Sequence, residues 1–499
     1  MGRSQFYILS IDAGTTGITV LAIDHGGKII QRSYQEIKQF YPEPGWVEHD
    51  PIEIWDTTRK LIDDIFQTLD AKYCEAIGIT NQRETTVVWD RTSGQPIHRA
   101  IVWQCRRTFD FCESLKSQGL GEVVHKKTGL FIDSYFSATK IRWILDHVSG
   151  ARNSAGSGKL AFGTIDTWLI YQLTGGKCHK TDHTNASRTM LYNIHSKVWD
   201  DELLQIFDIP GPLLPQVLSS SSQFGQTDQE LFGRTIPIAG VAGDQQAALF
   251  GQLGFKRGAV KSTYGTGCFL LANTGEKAVQ SSAGLITTIA CGKAGEPVYA
   301  LEGSVFMGGA IVQWLRDGLN LLKHASDSEK LATTVSDSGG VVIVPAFTGL
   351  GAPYWRSDVK GAIFGLTRGT NKNHLIRAAL ESIAFQVYDM VEAIRSELDF
   401  PLLELCVDGG AVQNDFLMQF QADILNIPIN RPKYIETTAL GAGYLAGLGA
   451  GFWSSAEAIG QCRQTDQIFH PRMKEDERSA HLSQWKQAVS SLLGEPKPL

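Results

Sequence analysis

The sequence predicts an α/β protein built from two similar halves, and three observations carry that prediction. Short β-branched runs alternate with helical periodicities along the chain. A strand–turn–strand with a Gly/Thr-rich turn occurs twice, as "FYILSIDAGTTGITVLAI" at 6–23 and "AVKSTYGTGCFLLA" at 259–272. At 499 residues the chain also exceeds the roughly 250–300 residues that a single core serves. The Gly-rich stretch "FGQLGFKRGA" sets the expected boundary, giving domains at 1–254 and 255–499.

The elements follow in order. After the first hairpin a third strand is expected at 28–37, then a Pro/Gly loop, "YPEPGWVEHDP". Asp50 is the expected N-cap of the next helix, with Pro51 at its first position and Glu53 closing a capping box. Ile54, Leu61, Ile65 and Leu69 recur at helical spacing on it. The runs "AIGIT" and "TTVVW" then read as strands around Arg83 and Glu84, an adjacent cation and anion where the flanks predict burial. On a continuous strand the two side chains would face opposite ways, so a bend is expected near 81–84 if both serve one site. Long helices are expected at 373–397, 414–426 and 437–450. The stretch 439–453 is too short and Gly-rich to span a bilayer and reads as close helix packing.

Composition narrows the class. The chain is 43% hydrophobic and 20% charged with net charge −6, ordinary for a soluble globular protein. No Lys/Arg block points to nucleic acid or a membrane surface. The eight Cys are scattered, without zinc spacing, and read as buried free thiols in a reducing cytoplasm. No signal-peptide core follows the N-terminus.

Four motifs carry chemistry. "DAGTTG" at 12–17 is a Gly-rich turn at a strand end. Its exposed N–H groups and Thr hydroxyls suit phosphate oxygens, and Asp12 suits Mg²⁺, although an Asp-capped hairpin has the same pattern. "GTG" at 265–267 repeats the logic. "VDGGAVQN" at 407–414 is a strand, a Gly-Gly turn and a helix start, which lets a base or phosphate approach closely or simply makes a tight turn. "AGDQQAALFG" at 242–251 places Asp244 at a helix start, as an N-cap or as a general base for an attacking hydroxyl, with Gln245 beside it as donor and acceptor. "GSGK" at 156–159 lacks the first Gly and the hydroxyl residue of a P-loop and reads as a surface loop. His49 and His183 read as structural.

These segments, with "GWVEHDP", "GITNQRETT", "WQCRRT", "GTIDTWLI", "TNASRTM", "PAFTGLGAPYW", "GAIFGLTRGT", "LESIAFQ" and "VDGGAVQNDFLMQFQADIL", resemble the glycerol kinases, carbohydrate kinases of the actin/hexokinase/Hsp70-type ATPase superfamily. The match runs from about 6 to 453. The resemblance implies two ribonuclease-H-like domains flanking a central cleft, and transfer of a phosphoryl group from MgATP to glycerol, the entry step of glycerol catabolism. Glycerol would be held by Arg83, Glu84, Tyr135, Asp244 and Gln245, with Trp103 and Phe269 on its carbons and Asp244 as base. Thr15, Thr16, Gly17 and Thr266 would meet the phosphates, Asp12 would sit near Mg²⁺, and Gly309, Gln313, Gly410 and Asn414 would surround the nucleotide. A homodimer or homotetramer is implied. Where such enzymes often carry Gln, Ser and Arg, this chain has Ala13, Gly17 and Thr19. The stretch 225–238 lacks the Gly-rich regulatory loop of enterobacterial relatives, so control by fructose 1,6-bisphosphate is not expected. Another polyol or sugar kinase, and a non-catalytic ATPase or filament former, are the competing readings.

Overall fold

The computed structural model describes residues 5–356 and 358–494. The first half builds a six-stranded sheet from β1 (Tyr7–Ala13), β2 (Gly17–Asp24), β3 (Ile29–Glu36), β4 (Cys74–Asn81), β5 (Ser221–Gln226) and β6 (Pro237–Gly243), in the order β5-β6-β4-β1-β2-β3. Strands β1–β3 form an antiparallel meander, while β1, β4 and β6 run parallel. Helix α1 (Pro51–Phe66) packs Ile54, Leu61, Ile62 and Ile65 into the core beneath β1 and β2. Asp50 caps α1 by accepting from Ile52 N at 2.9 Å. Glu53 closes no capping box, because its Oε1 accepts from Lys38 N at 3.0 Å and ties the helix to the loop before it.

The second half repeats the plan. Strands β7 (Val260–Tyr264), β8 (Cys268–Gly275), β9 (Ile286–Cys291), β10 (Pro297–Val305), β11 (Leu405–Asp408), β12 (Ile429–Pro432) and β13 (Thr465–Phe469) form one sheet, in the order β9-β10-β8-β7-β11-β12-β13. Here β7, β8 and β10 make the antiparallel meander, and β7, β11 and β12 are parallel. The likeness of the two hairpins is therefore a likeness of whole sheets, two α/β units of one topology.

Helix α2 (Asp244–Gly251) follows β6. In the second half come α3 (Ala310–Asp317), α4 (Lys372–Glu397), α5 (Asp415–Leu425) and α6 (Thr437–Gly449). The three long helices expected from periodicity correspond to α4, α5 and α6. Although α6 comes late in the chain, it lies on the first sheet and against α2. Its glycines make this possible. A Cβ on Gly441 would stand 1.8 Å from the Ala247 carbonyl oxygen, and one on Gly78 of β4 would stand 2.2 Å from the Ala442 oxygen. Backbone thus rests on backbone at both contacts.

All eight cysteines are free. No helix among the described residues is long and apolar enough to cross a membrane.

Candidate active site

The carboxyl ends of three parallel strands are level. Ala13 of β1 pairs with Asn81 of β4, and Asn81 pairs with Gly243 of β6. Three segments leave the sheet side by side: the hairpin turn at 14–16, the bend at 82–85 and the start of α2. Ligands of open α/β sheets collect at such ends.

The bend is where the charge pair predicts it. β4 stops at Asn81, and Glu84 has φ +62°, a left-handed residue that turns the chain. Gln82 fastens the bend to the first hairpin, its N donating to Ala13 O at 2.9 Å and its Nε2 to Gly14 O at 3.1 Å. The Glu84 carbonyl accepts from Ser137 Oγ at 3.1 Å and Lys140 Nζ at 3.4 Å. Lys140 also donates to the carbonyls of Tyr135 and Phe136, so one buried ammonium joins the bend to the segment bearing Tyr135. Burial brings that ammonium down to about 8.

At the start of α2, Asp244 Oδ1 accepts from Gln245 N at 2.7 Å and forms an ion pair with Arg83 Nε at 3.0 Å. Its Oδ2 has no hydrogen bond among the described residues, and the side chain is 30% exposed. One oxygen is anchored and the other is uncommitted on a partly exposed side chain. Gln245 is buried, with Oε1 accepting from the buried Lys261 of β7. Trp103 meets Tyr135 edge-on at 5.5 Å and Phe269 at 6.3 Å between ring centroids. Phe269 belongs to β8, so the aromatic wall takes side chains from both halves.

Comparisons with known proteins identify the family. The N-terminal domain of the FGGY family of carbohydrate kinases matches residues 7–251, and the C-terminal domain of the same family matches 260–450. The chain belongs to the FGGY family of carbohydrate kinases. It is 55% identical over 490 residues to glycerol kinase 2 of Thermotoga maritima, covering 98% of this chain and 99% of that one. It is 56% identical over 491 residues to a glycerol kinase of Xanthomonas axonopodis pv. citri, covering 98% of each. Among solved structures, Plasmodium falciparum glycerol kinase with ADP superposes with a TM-score of 0.92 at 40% identity, covering 98% of each chain.

In this FGGY kinase the residues read as nucleotide contacts fall into two groups. Thr15, Thr16 and Gly17 form the first hairpin, closed by Gly14 N donating to Gly17 O at 3.0 Å. Thr15 Oγ1 accepts from Trp103 Nε1 at 2.9 Å, which joins this turn to the aromatic wall. On the second sheet the turn bearing Thr266 is met by the start of α3, where Gly309 N donates to Gly265 O at 2.8 Å and Ala310 N to Thr266 O at 3.1 Å. Gln313 lies exposed on α3. Gly409, at φ +90°, turns the chain after β11 so closely that a Cβ would lie 2.6 Å from Tyr264 O, and Gly410 follows in open space. Asn414 caps α5, accepting from Leu417 N at 2.9 Å.

Asp12, at the end of β1, is pushed up to about 7, first by burial and then by the charge of Asp244. A carboxylate whose ionisation is opposed by burial and by a neighbouring negative charge suits a cation shared with phosphates. Among the described residues no group of three or more His, Cys, Asp or Glu side chains could hold a metal alone. The donor set fits a cation held chiefly by phosphate and water, with a single carboxylate from the protein.

Gly17 has a local cause. A Cβ there would lie 2.7 Å from both Cε2 and the hydroxyl oxygen of Tyr34 and 2.8 Å from the Gln35 carbonyl oxygen, which together occupy the space a serine would need.

Sequence reasoning missed the charges that surround Arg83. Glu302 of β10 receives Arg83 Nη1 at 2.5 Å and Nη2 at 2.9 Å. Arg188 donates from Nε to Glu84 at 2.6 Å and from Nη2 to Glu302 at 3.0 Å. The four side chains are 0–2% exposed. Arg188 lies in a quoted motif, "TNASRTM", and Glu302 is the lone charge in the strand "VYALEGSV". A single charge in an apolar strand was the available signal.

Proposed function

We propose that this chain is a glycerol kinase that transfers the γ-phosphoryl group of MgATP to glycerol, giving sn-glycerol 3-phosphate and ADP. The observation that carries the reading is Asp244, with Oδ1 anchored by Arg83 and its own helix and Oδ2 free at the level carboxyl ends of β1, β4 and β6. The full-length likeness to glycerol kinases supports the choice of substrate.

Glycerol lies against Trp103 and Phe269 with its carbons and against Arg83, Glu84, Tyr135 and Gln245 with its hydroxyls. Each hydroxyl meets a charged or polar group, so an analogue lacking one leaves a buried partner unpaired. Oδ2 of Asp244 accepts the proton of the terminal hydroxyl as the new O–P bond forms and the bond to ADP breaks. In a loose transition state this transfer comes late, and positioning and electrostatics dominate. Thr15, Thr16, Gly17 and Thr266 present N–H and O–H donors to the phosphates. Gly309, Gln313, Gly410 and Asn414 flank the nucleotide. Asp12 holds Mg²⁺, which neutralises phosphate charge when bound. Two halves meeting over the site exclude water and limit idle hydrolysis of ATP.

The test is ADP release from MgATP with glycerol, dihydroxyacetone, xylulose and gluconate. Turnover with glycerol well above the blank and above the other three is the expected result. No turnover with glycerol rejects the reading. Asp244→Asn should lower kcat by roughly a hundredfold or more, as loss of a general base does, while glycerol still binds. Full activity in that variant removes Asp244 from the role.

A further inference from the structure

We propose that Glu302 is a positioning residue for substrate recognition, reaching from the second sheet to fix Arg83 and Arg188, and through them Glu84. The proposal deepens the glycerol reading and rests on it for the identity of the polyol.

The four charges form a closed ring of alternating sign. Glu302 takes both terminal nitrogens of Arg83 in a forked pair, and its Oε1 also accepts from Arg188 Nη2 at 3.0 Å. Arg188 Nε reaches Glu84 Oε1 at 2.6 Å, and that oxygen stands 3.9 Å from Arg83 Nε. A planar guanidinium held at two points has its orientation fixed. Arg83 then has one edge committed to Glu302 and Nε committed to Asp244. Nη1 also donates to Gln246 Oε1 at 3.3 Å, so of its five N–H groups one on Nη2 remains to meet a hydroxyl, and Glu302 decides where it points. Burial opposes ionisation of Glu302, yet Arg188 and Arg83 together hold its carboxyl down to about 2. Its charge is therefore present at any working pH.

The ring also crosses between the halves. Arg83, Glu84 and Arg188 belong to the first, and Glu302 sits in β10 between β8 and β9. Without the second sheet, Arg83 keeps Asp244 and Arg188 keeps Glu84, but both lose the one carboxylate that binds the two guanidinium groups together, and buried like charges repel when that link is missing. The substrate pocket is thus complete only when β10 is seated against the first half. Arg188 Nη1 is buried without a hydrogen-bond partner among the described residues, which leaves one donor of the ring uncommitted.

The test compares wild type with Glu302→Gln, which keeps volume and loses charge, and with Glu302→Asp, which keeps charge and withdraws the carboxylate. Steady-state kinetics should show the glycerol KM raised roughly tenfold or more in Glu302→Gln, with the ATP KM within about twofold. Selectivity for glycerol over propane-1,2-diol should fall, because misaligned donors no longer read each hydroxyl. A purely structural role lowers the melting temperature and leaves KM and selectivity of the folded enzyme unchanged, and that result overturns the proposal. Should the Gln variant fail to fold, Glu302→Asp carries the same comparison with a smaller shift. Amide exchange gives a readout independent of substrate. Protection at 82–86 should drop in the variant while β1 keeps its own, and unchanged protection there overturns the proposal. Absence of glycerol turnover in wild type is a separate failure, of the substrate reading, and leaves the exchange result to decide the role of Glu302.

Discussion

Gly441→Ala is expected to damage both stability and turnover, although the residue lies outside the catalytic cleft. The added methyl carbon would sit 1.8 Å from the Ala247 carbonyl oxygen and 3.0 Å from Gly251 N, where ordinary contact begins at 3.4 Å. Both obstacles are backbone, so no side chain can swing away. Helices α2 and α6 must part by roughly 1.5 Å, an overpacking defect of about 1–3 kcal/mol. Alanine's better helix propensity returns about 1 kcal/mol of that at most. The melting temperature should fall by several degrees, given about 2–4 °C per kcal/mol for units of this size. Ala247 lies one helical turn from Asp244, so a shift of this size should lower kcat by roughly a hundredfold. Two controls calibrate the result. A Cβ on Gly443 of the same helix meets chiefly the mobile end of Ile23, and one on Gly460 meets nothing within 4 Å. Thermal melts and kcat should rank Gly441→Ala as the most damaged, Gly443→Ala as milder and Gly460→Ala as unaffected. A Gly441→Ala enzyme with wild-type melting temperature and kcat would refute the backbone-contact argument.

Three further outcomes follow from the site. Gly17→Ser should destabilise the protein by about 1–3 kcal/mol through its clash with Tyr34 and with the Gln35 carbonyl oxygen, and Tyr34→Ala should relieve only the side-chain part of that in the double variant; strictly additive losses in denaturant melts would count against it. Asp12 is raised to about 7, so the stability its neutral form contributes is full below about 4 and lost as pH rises through 7. Without metal, Asp12→Asn should therefore gain on wild type in melting temperature between pH 5 and 8, and a gap independent of pH would reject the assignment. Lys140→Met strips a buried donor from three carbonyls, at about 1–3 kcal/mol for each one left unpaired, and should raise the glycerol KM with little change in that for ATP.

What the sequence made legible was local. The Gly/Thr hairpins, the bend at Arg83-Glu84 and the helix beginning at Asp244 are each written in a few adjacent residues, and glycine, left-handed turns and helix starts are decided at that range. Close packing of 439–453 was legible for the same reason, since glycines spaced along a helix serve backbone contact. The partner of that packing was not. Nothing near Gly441 points to Ala247, or to a sheet made far earlier in the chain. The charge ring was hidden similarly, because Glu302 becomes intelligible only when β10 brings it to Arg83 and Arg188. Glu53 shows the reverse case. Its spacing from Asp50 suits a capping box, but the nearby Lys38 N–H takes its carboxylate instead.

The placement of α6 bears on how the chain is made. Ile8, Leu21, Ile23 and Ala76 form an apolar face of the first sheet, and Leu440, Tyr444, Leu445 and Trp453 cover it. A ribosome that has finished β6 has delivered every strand of that sheet but not its cover. Nearly two hundred residues must still emerge, on the order of ten seconds or more of synthesis. During that interval the nascent first half carries a bare hydrophobic surface, open to chaperones or to neighbouring chains. A helix made late in the chain seals the first sheet to form, so premature termination between β6 and α6 strands the first half with an adhesive face.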